Sequence, residues 1–230
     1  FPTRRSSDLS VAAPLPELAK PAAGVGVLNW LPGNDQIVRE ADRFGQVLVE
    51  SEQRLHSLFI THNEEIFFAC SDGSMMKFKE GHKSHIQLGG ELRGVVMDNQ
   101  GKRCYFTDIS NGVIWMKEME DKSNQVNLVT NEFESVPFLG PHSMALSEDG
   151  NNLYFTDSGP WGETSIENPK GSVFVLDIPL GLVRPLALQC LAYPTGLVLA
   201  NNDKLLYVCE TAKNRVLRFN LSGDRFGMFR

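Results

Sequence analysis

Several features that mark common functional classes are missing from this sequence. Basic residues do not cluster, and 28 acidic against 22 basic residues give a net charge of -6, which argues against a nucleic-acid partner. No apolar run approaches the roughly 20 residues that cross a bilayer, so the sequence predicts no membrane span in this stretch of chain. The G-x-S-x-G, H-E-x-x-H and P-loop motifs are absent as well, and familiar catalytic signatures therefore assign no activity.

Cysteine is also scarce, with four residues at positions 70, 104, 190 and 209 and no C-x-x-C pair. A structural zinc site is therefore unsupported. Three of the four lie in apolar runs (FFAC, CYF and YVC), where cysteine behaves as a small buried hydrophobe. We expect free thiols in preference to a disulfide framework.

What the sequence does contain is a template of 15 residues that occurs four times. Each copy has a small residue, an apolar run, a polar turn and a second apolar run that ends on a short polar residue, which is the pattern of a β-hairpin. The copies are residues 57–71 (SLFITHNEEIFFACS), 94–108 (GVVMDNQGKRCYFTD), 143–157 (SMALSEDGNNLYFTD) and 196–210 (GLVLANNDKLLYVCE).

The repeats predict an all-β fold, a β-propeller. Their starts lie 37, 49 and 53 residues apart, a spacing typical of propeller blades or a solenoid. A third strand follows each hairpin, at residues 73–78, 112–119, 171–177 and 214–220, and weaker apolar segments at 126–130 and 182–188 suit a fourth. Four strands form one propeller blade. An ordinary β-sandwich is the alternative.

The two ends of the chain are interpreted separately. Residues 1–9 (FPTRRSSDL) match a translated sequencing-library adapter and are left out of the fold argument. Residues 10–24 are rich in Ala and Pro and are predicted to be a leader or linker. We expect the propeller domain to occupy residues 25–230 and to be truncated at its C-terminus, as a fragment of about four to five four-stranded blades.

Candidate functional residues follow from the repeat register. The first strand of a propeller blade lines the central channel, so the residue just before each repeat is expected to face one axial cavity. Those residues are His56, Arg93, His142 and Thr195. A circle of two imidazoles, a guanidinium group and a hydroxyl suits an anionic or carbonyl-bearing ligand, with His142 as the candidate general base. The alternative is that all four are loop residues satisfied by backbone groups.

Other polar residues are weaker candidates. Asp108, Asp157 and Glu210 end the second strands and are expected to cap nearby backbone amides, with paired acids as the alternative. His82 and His85 are predicted to lie in a solvated loop. Trp161 lies in a long insertion, residues 159–170, which we predict to shape the rim of a pocket and to contact substrate.

Two of the predicted blades carry a resemblance to a known protein family. One contains GPHSMAL and LYFTDS (residues 140–158), and the other runs from YPTGLVL through LLYVCET to NRVLRF (residues 193–219). They resemble strictosidine synthase-like proteins, which group with gluconolactonase/SMP-30 and paraoxonase proteins as six-bladed propellers. The resemblance is clear over residues 90–230. It implies six blades and, in the lactonases and esterases, a channel cation that is usually calcium and is held by Asn, Asp and Glu. Here His142 and Thr195 stand where metal-binding members have Asn, so we assign no metal ligands and leave the cofactor open.

Three functions are compatible with the resemblance. The first is a small-molecule hydrolase acting on an ester or a lactone in the central channel. The second is a metal-free condensing enzyme of the strictosidine synthase kind, whose glutamate from a late blade would lie beyond Arg230. The third is a non-catalytic propeller that binds another protein.

Overall fold

The computed structural model describes residues 51–61, 63–121, 123, 125–223 and 227. Residues 25–50, at which the propeller domain is expected to begin, lie outside the described residues. Within the described part of the chain, no helix has the length and apolar character needed to cross a bilayer.

Four antiparallel sheets follow one another along the chain, and each begins with a predicted hairpin. Blade 1 contains β1 (Leu55–Ile60), β2 (Ile66–Cys70), β3 (Ser74–Lys79) and β4 (His82–Gln87). Blade 2 contains β5 (Leu92–Met97), β6 (Arg103–Asp108), β7 (Val113–Glu118) and β8 (Asn127–Thr130), and a small hairpin of β9 (Glu132–Phe133) and β10 (Val136–Pro137) follows it.

The second pair of blades has the same order. Blade 3 contains β11 (Pro141–Leu146), β12 (Asn152–Asp157), β13 (Gly171–Asp177) and β14 (Leu182–Leu191). Blade 4 contains β15 (Pro194–Ala200), β16 (Leu205–Glu210), a 3₁₀ helix (Thr211–Lys213) and β17 (Arg215–Asn220). The prediction of an all-β propeller is confirmed, whereas a count of six blades stays a prediction.

The first strands of the blades are the innermost ones. Strand β1 packs against β5, β5 against β11, and β11 against β15. Because strand residues alternate between the two faces of a sheet, each blade presents large apolar side chains to both neighbours. Phe67, Phe106 and Phe155 are at most 1% exposed in the core that blades 1 to 3 share, and burial of one such side chain contributes roughly 1.5–3 kcal/mol.

A buried threonine near the end of the second strand ties each middle blade to the next. The hydroxyl of Thr107 accepts the N–H of Gly94 at 2.7 Å and donates to the carbonyl of His142 at 3.1 Å. In the next blade, Thr156 accepts the N–H of Ser143 at 3.2 Å and donates to the carbonyl of Thr195 at 2.7 Å. Each hydroxyl therefore holds the main chain of a predicted site residue in the following blade.

The approach of β5 to β11 requires a glycine. A Cβ on Gly94 would lie 2.9 Å from the carbonyl oxygen of His142 and 3.2 Å from the hydroxyl of Thr107. Contacts under 3.0 Å to backbone force the neighbour to move, so any larger residue would push blade 3 away.

One sequence interpretation in blade 1 is wrong. His82 and His85 lie on β4, the outer strand of the blade, and not in a loop. Five of the six β4 side chains are polar or charged, and all but Ile86 are exposed. The strand therefore lacks the apolar alternation that predicts strands. The four cysteines are free as expected, with Cys70 and Cys104 buried and Cys190 exposed.

Candidate functional site

The four residues chosen from the repeat register occupy equivalent positions. His56, Arg93, His142 and Thr195 are each the second residue of an inner strand. Since these strands pack side by side in blade order, the residues follow one another around the end at which the inner strands begin. We call this end the channel mouth.

Arg93 joins blades 1 and 2 at the channel mouth. Its Nη1 lies 3.0 Å from Nδ1 of His56, and its Nη2 lies 2.5 Å from Oε1 of Glu91. The side chain of Arg93 is 24% exposed and that of Glu91 is 36% exposed, so the ion pair lies at the boundary between protein and solvent.

Three enclosed nitrogen atoms at the channel mouth have no hydrogen-bond partner. They are Nε2 of His56, Nε of Arg93 and Nδ1 of His142, and no other buried side-chain nitrogen or oxygen lacks a partner among the residues that the structure describes. Buried polar groups without partners are rare in folded proteins and call for an explanation such as a bound ligand, ion or water. Their concentration on three adjacent blades identifies this place as the candidate site.

Both histidines are neutral at pH 7. Burial, followed by the charges of Arg93 and of His56, lowers the pKa of His142 from 6.5 to about 3. Burial, followed by the charges of Arg93 and Arg54, lowers the pKa of His56 to about 4. Desolvation and a nearby cation both disfavour the imidazolium ion, and the shared influence of Arg93 reflects how closely the three side chains lie.

An aromatic wall continues from His142 to the predicted rim. The ring centroid of Tyr193 lies 6.0 Å from that of His142 and 4.8 Å from that of Trp161, with both pairs close to perpendicular. Edge-to-face pairs of this kind are favourable. Trp161 is 77% exposed, so the insertion that carries it places a large apolar surface beside the channel mouth.

The backbone of Tyr193 is held from two sides. Its φ angle is 54°, a conformation that costs a non-glycine residue free energy and is retained where the surroundings impose it. The N–H of Tyr193 donates to the hydroxyl of Thr164 in the insertion at 2.8 Å, and its carbonyl accepts the N–H of Thr211 at 3.0 Å. The insertion and blade 4 are thereby connected at the aromatic wall.

Thr195 differs from the other three residues. It is 2% exposed, and its hydroxyl shares a hydrogen bond of 2.6 Å with the hydroxyl of Thr211. Within the described part of the chain, no hydrogen bond connects this hydroxyl to His142. The interaction of Thr195 with a ligand stays a prediction.

The acids at the ends of the second strands bind backbone amides, as expected. Asp157 accepts the N–H groups of Leu139 and Gly140 at 3.1 and 2.8 Å, and burial raises its pKa to about 6. Asp108 accepts the N–H of Glu91 at 3.2 Å. These carboxylates fix the segments that lead into the inner strands and therefore position the candidate site without entering it.

The described residues do not fit the calcium ion that the resemblance implies. No group of three or more His, Cys, Asp or Glu side chains suited to a metal occurs among the residues that the structure describes. Calcium prefers six to eight oxygen ligands, whereas the free atoms at the channel mouth are nitrogens, one of them on the cationic Arg93. We therefore derive no step that uses a metal.

Sequence reasoning missed Glu91 and Tyr193. Each lies two residues before a chosen residue, Glu91 before Arg93 and Tyr193 before Thr195. Both lie just before an inner strand begins, and Tyr193 has a φ angle of 54°, so the strand period of two does not apply to them. Their contacts depend on the conformation of the segments that lead into the strands, for which the repeat register carries no signal.

Comparison with known proteins places the chain among propellers. No family model matches the sequence. The adipocyte plasma membrane-associated protein Hemomucin from Drosophila melanogaster is 24% identical over 196 residues, which are 73% of this chain and 33% of the relative. Protein STRICTOSIDINE SYNTHASE-LIKE 7 from Arabidopsis thaliana is 21% identical over 210 residues, which are 85% of this chain and 54% of the relative. The chain thus spans about a third and about half of these two curated relatives.

Solved structures share the fold. A gluconolactonase from Xanthomonas campestris superposes with a TM-score of 0.62 at 18% identity, over 73% of this chain and 58% of the other. A candidate gluconolactonase gives a TM-score of 0.66 at 17% identity, over 80% and 65%. A chain from the nidogen/laminin complex gives 0.60 at 18% identity, over 73% and 61%. The predicted resemblance to strictosidine synthase-like and gluconolactonase proteins is confirmed, and at these identities the structures establish the fold alone.

Proposed function

We propose that this chain supplies the substrate site of a small-molecule hydrolase that cleaves an ester or a lactone at the channel mouth. The observation that carries the proposal is the set of three enclosed, unpartnered nitrogens on three adjacent blades. Side-chain nitrogens that lack hydrogen-bond partners in the protein are suited to bind the oxygen atoms of an acyl group. The confirmed relationship in fold to a gluconolactonase agrees with this chemistry but does not by itself assign it.

His142 is the candidate general base of the reaction. Water attacks the carbonyl carbon of the substrate while the neutral imidazole takes one proton from that water, and the carbonyl electron pair moves onto oxygen. When the tetrahedral intermediate collapses, the C=O bond forms again, the C–O bond to the leaving group breaks, and the imidazolium returns the proton to the departing alkoxide. An ester yields an acid and an alcohol, and a lactone yields a hydroxy acid.

The low pKa of His142 is compatible with this role for an electrostatic reason. Its value of about 3 in the free protein keeps the ring unprotonated at pH 7 and makes it a weak base. Negative charge that develops on the substrate oxygen beside Arg93 offsets the cation that helps to lower this pKa. The ring therefore becomes more basic as the transition state forms, when a base is required.

The aromatic wall supports binding at the same place. Trp161 and Tyr193 meet in an edge-to-face pair next to His142, and apolar walls with a few polar groups are typical of small-molecule sites. The exposed Trp161 also keeps the protein-binding alternative open, as does the similarity in fold to a chain of the nidogen/laminin complex.

Hydrolysis of two simple probes, δ-valerolactone and p-nitrophenyl acetate, tests the proposal. We expect activity above the uncatalysed rate, and we expect His142→Gln to lower kcat by about 10²–10⁴-fold, the usual contribution of a general base. His85→Gln is the matched control, because His85 is an exposed histidine on the outer strand β4.

Two results would reject the proposed function. One is a purified protein that hydrolyses neither probe above background. The other is a His142→Gln variant whose rate equals that of the His85→Gln control.

A further inference from the structure

The backbone around Trp161 is held in place although its side chain is exposed. The N–H of Glu163 donates to the carbonyl of Pro160 at 3.2 Å and closes a turn that contains Trp161. Just before this turn, the N–H of Gly159 donates to the carbonyl of Gly140 at 3.0 Å. The turn is thereby attached to the segment that leads into β11 at the channel mouth.

The same turn is attached on its other side to the aromatic wall. Thr164 is 4% exposed and its hydroxyl accepts the N–H of Tyr193, while the rings of Tyr193 and Trp161 lie 4.8 Å apart. Most of the indole surface nevertheless faces solvent, since Trp161 is 77% exposed. An apolar surface that is held in place beside a site gains free energy when an apolar group of a ligand covers it.

Tyr193 connects this apolar surface to the polar part of the candidate site. Its ring lies 6.0 Å from that of His142. Burial raises the pKa of the Tyr193 hydroxyl, the charge of Arg93 lowers it, and the charge of Glu91 raises it, so this side chain also lies close to the ion pair. A ligand with its carbonyl group beside His142 therefore has the aromatic wall on one side and Trp161 at the far end of that wall.

The insertion offers little to a ligand rich in hydroxyl groups. Its two hydroxyl side chains are already used, because Thr164 accepts from Tyr193 and Ser165 donates to Glu167 at 3.0 Å and accepts the N–H of Asn168. Discrimination in favour of a hydroxylated substrate requires groups that hydrogen-bond to those hydroxyls. The wall instead matches a ligand whose part beyond the carbonyl is apolar.

We propose that the substrate is an ester or lactone that carries an apolar chain, and that Trp161 is the specificity-determining residue that covers this chain. The assignment rests on the proposed function for the position of the carbonyl group. It predicts a substrate preference unlike that for glucono-δ-lactone, which carries hydroxyl groups in place of an apolar chain.

Three δ-lactones with the same reacting ring test this preference. δ-Valerolactone has no substituent, δ-decalactone has a pentyl chain, and glucono-δ-lactone is hydroxylated. Burial of one methylene group favours binding about fourfold, so with two or three chain carbons covered we expect kcat/KM to be about 15- to 60-fold higher for δ-decalactone than for δ-valerolactone. A kcat/KM for glucono-δ-lactone that equals or exceeds the value for δ-decalactone would overturn the proposal.

The variant Trp161→Ala tests the residue. We expect the ratio of the two kcat/KM values, δ-decalactone over δ-valerolactone, to fall at least fivefold, because only the first lactone has a chain for the indole to cover. Leu180→Ala is the matched control: Leu180 is 74% exposed and follows β13, which runs away from the channel mouth. A ratio that is the same in both variants would overturn the role of Trp161.

A binding measurement separates this inference from the proposed function. The ketone 2-pentylcyclopentanone has the same chain next to a ring carbonyl and cannot be hydrolysed. We expect it to shift the tryptophan emission to shorter wavelength in a saturable manner, as the exposed indole is covered, and we expect Trp161→Ala to lose this shift. An inactive protein with this result would reject hydrolysis and support the apolar site. No shift, or a shift that persists in Trp161→Ala, would overturn the apolar site whatever the activity.

Discussion

Replacing Thr107 by valine is the most informative test of how the blades are joined. The Thr107 side chain is fully buried, and its hydroxyl accepts from Gly94 N–H and donates to the carbonyl of His142. Valine has nearly the same shape but no hydroxyl, so the substitution leaves these two backbone groups unpaired between blades 2 and 3. A buried polar group without a partner costs about 1–3 kcal/mol, and we expect the free energy of unfolding to fall by about 2–4 kcal/mol in total.

Urea unfolding followed by circular dichroism measures this change. The transition midpoint should move to lower urea at an unchanged m value, because the substitution does not alter the surface exposed on unfolding. The control is Thr130→Val on the outer strand β8, where the hydroxyl makes one long contact of 3.4 Å to the carbonyl of Glu132. A change within about 0.5 kcal/mol is expected there.

Equal stabilities for Thr107→Val and Thr130→Val would refute this account of the blade junction. In that case the hydroxyl of Thr107 would not connect β5 to β11, and the placement of His142 beside Arg93 would lose its structural basis.

Two further predictions concern stability. Gly94→Ala should lower the free energy of unfolding by about 1–3 kcal/mol, because the added Cβ would lie 2.9 Å from the carbonyl oxygen of His142. Ser143→Ala, at the equivalent position of blade 3, is the control and should change the free energy of unfolding far less. Equal effects of the two substitutions would contradict the close approach of β5 to β11. Stability should also fall in acid, because the pKa of His142 is lowered to about 3: its contribution is complete above pH 6.5 and is lost as the pH falls towards 3. Between pH 7 and pH 5 the free energy of unfolding should fall by about 2 kcal/mol for this reason. The His142→Gln variant should lack this fall. Parallel pH profiles for the unsubstituted protein and the variant would contradict the burial of the ring.

The hairpins could be predicted from the sequence because their signal is local. Alternating apolar residues around a polar turn determine β5 and β6 or β11 and β12 without reference to the rest of the chain. The outer strand β4 could not be predicted in this way, since most of its side chains are exposed on both faces. Its pairing with β3 depends on backbone hydrogen bonds, which leave no pattern in the side chains.

The candidate site could be predicted in part. The repeat register identified His56, Arg93 and His142, and the structure brings these three together. The repeat register could not reveal that Arg93 pairs with Glu91, or that the hydroxyl of Thr195 bonds to Thr211, because such contacts depend on side-chain geometry between elements. The roles of all these residues in binding or catalysis remain proposals.

The measurement that tests the central claim most directly is the pH titration of His56 and His142 by long-range ¹H–¹⁵N spectra, in the unsubstituted protein and in Arg93→Met. If the three side chains meet at the channel mouth, the pKa values of both rings lie far below 6.5, near 4 and near 3, and both rise when the guanidinium group is removed. Arg103→Met, on an exposed surface, should leave both unchanged. Two histidines that titrate near 6.5 and ignore Arg93→Met would contradict the account.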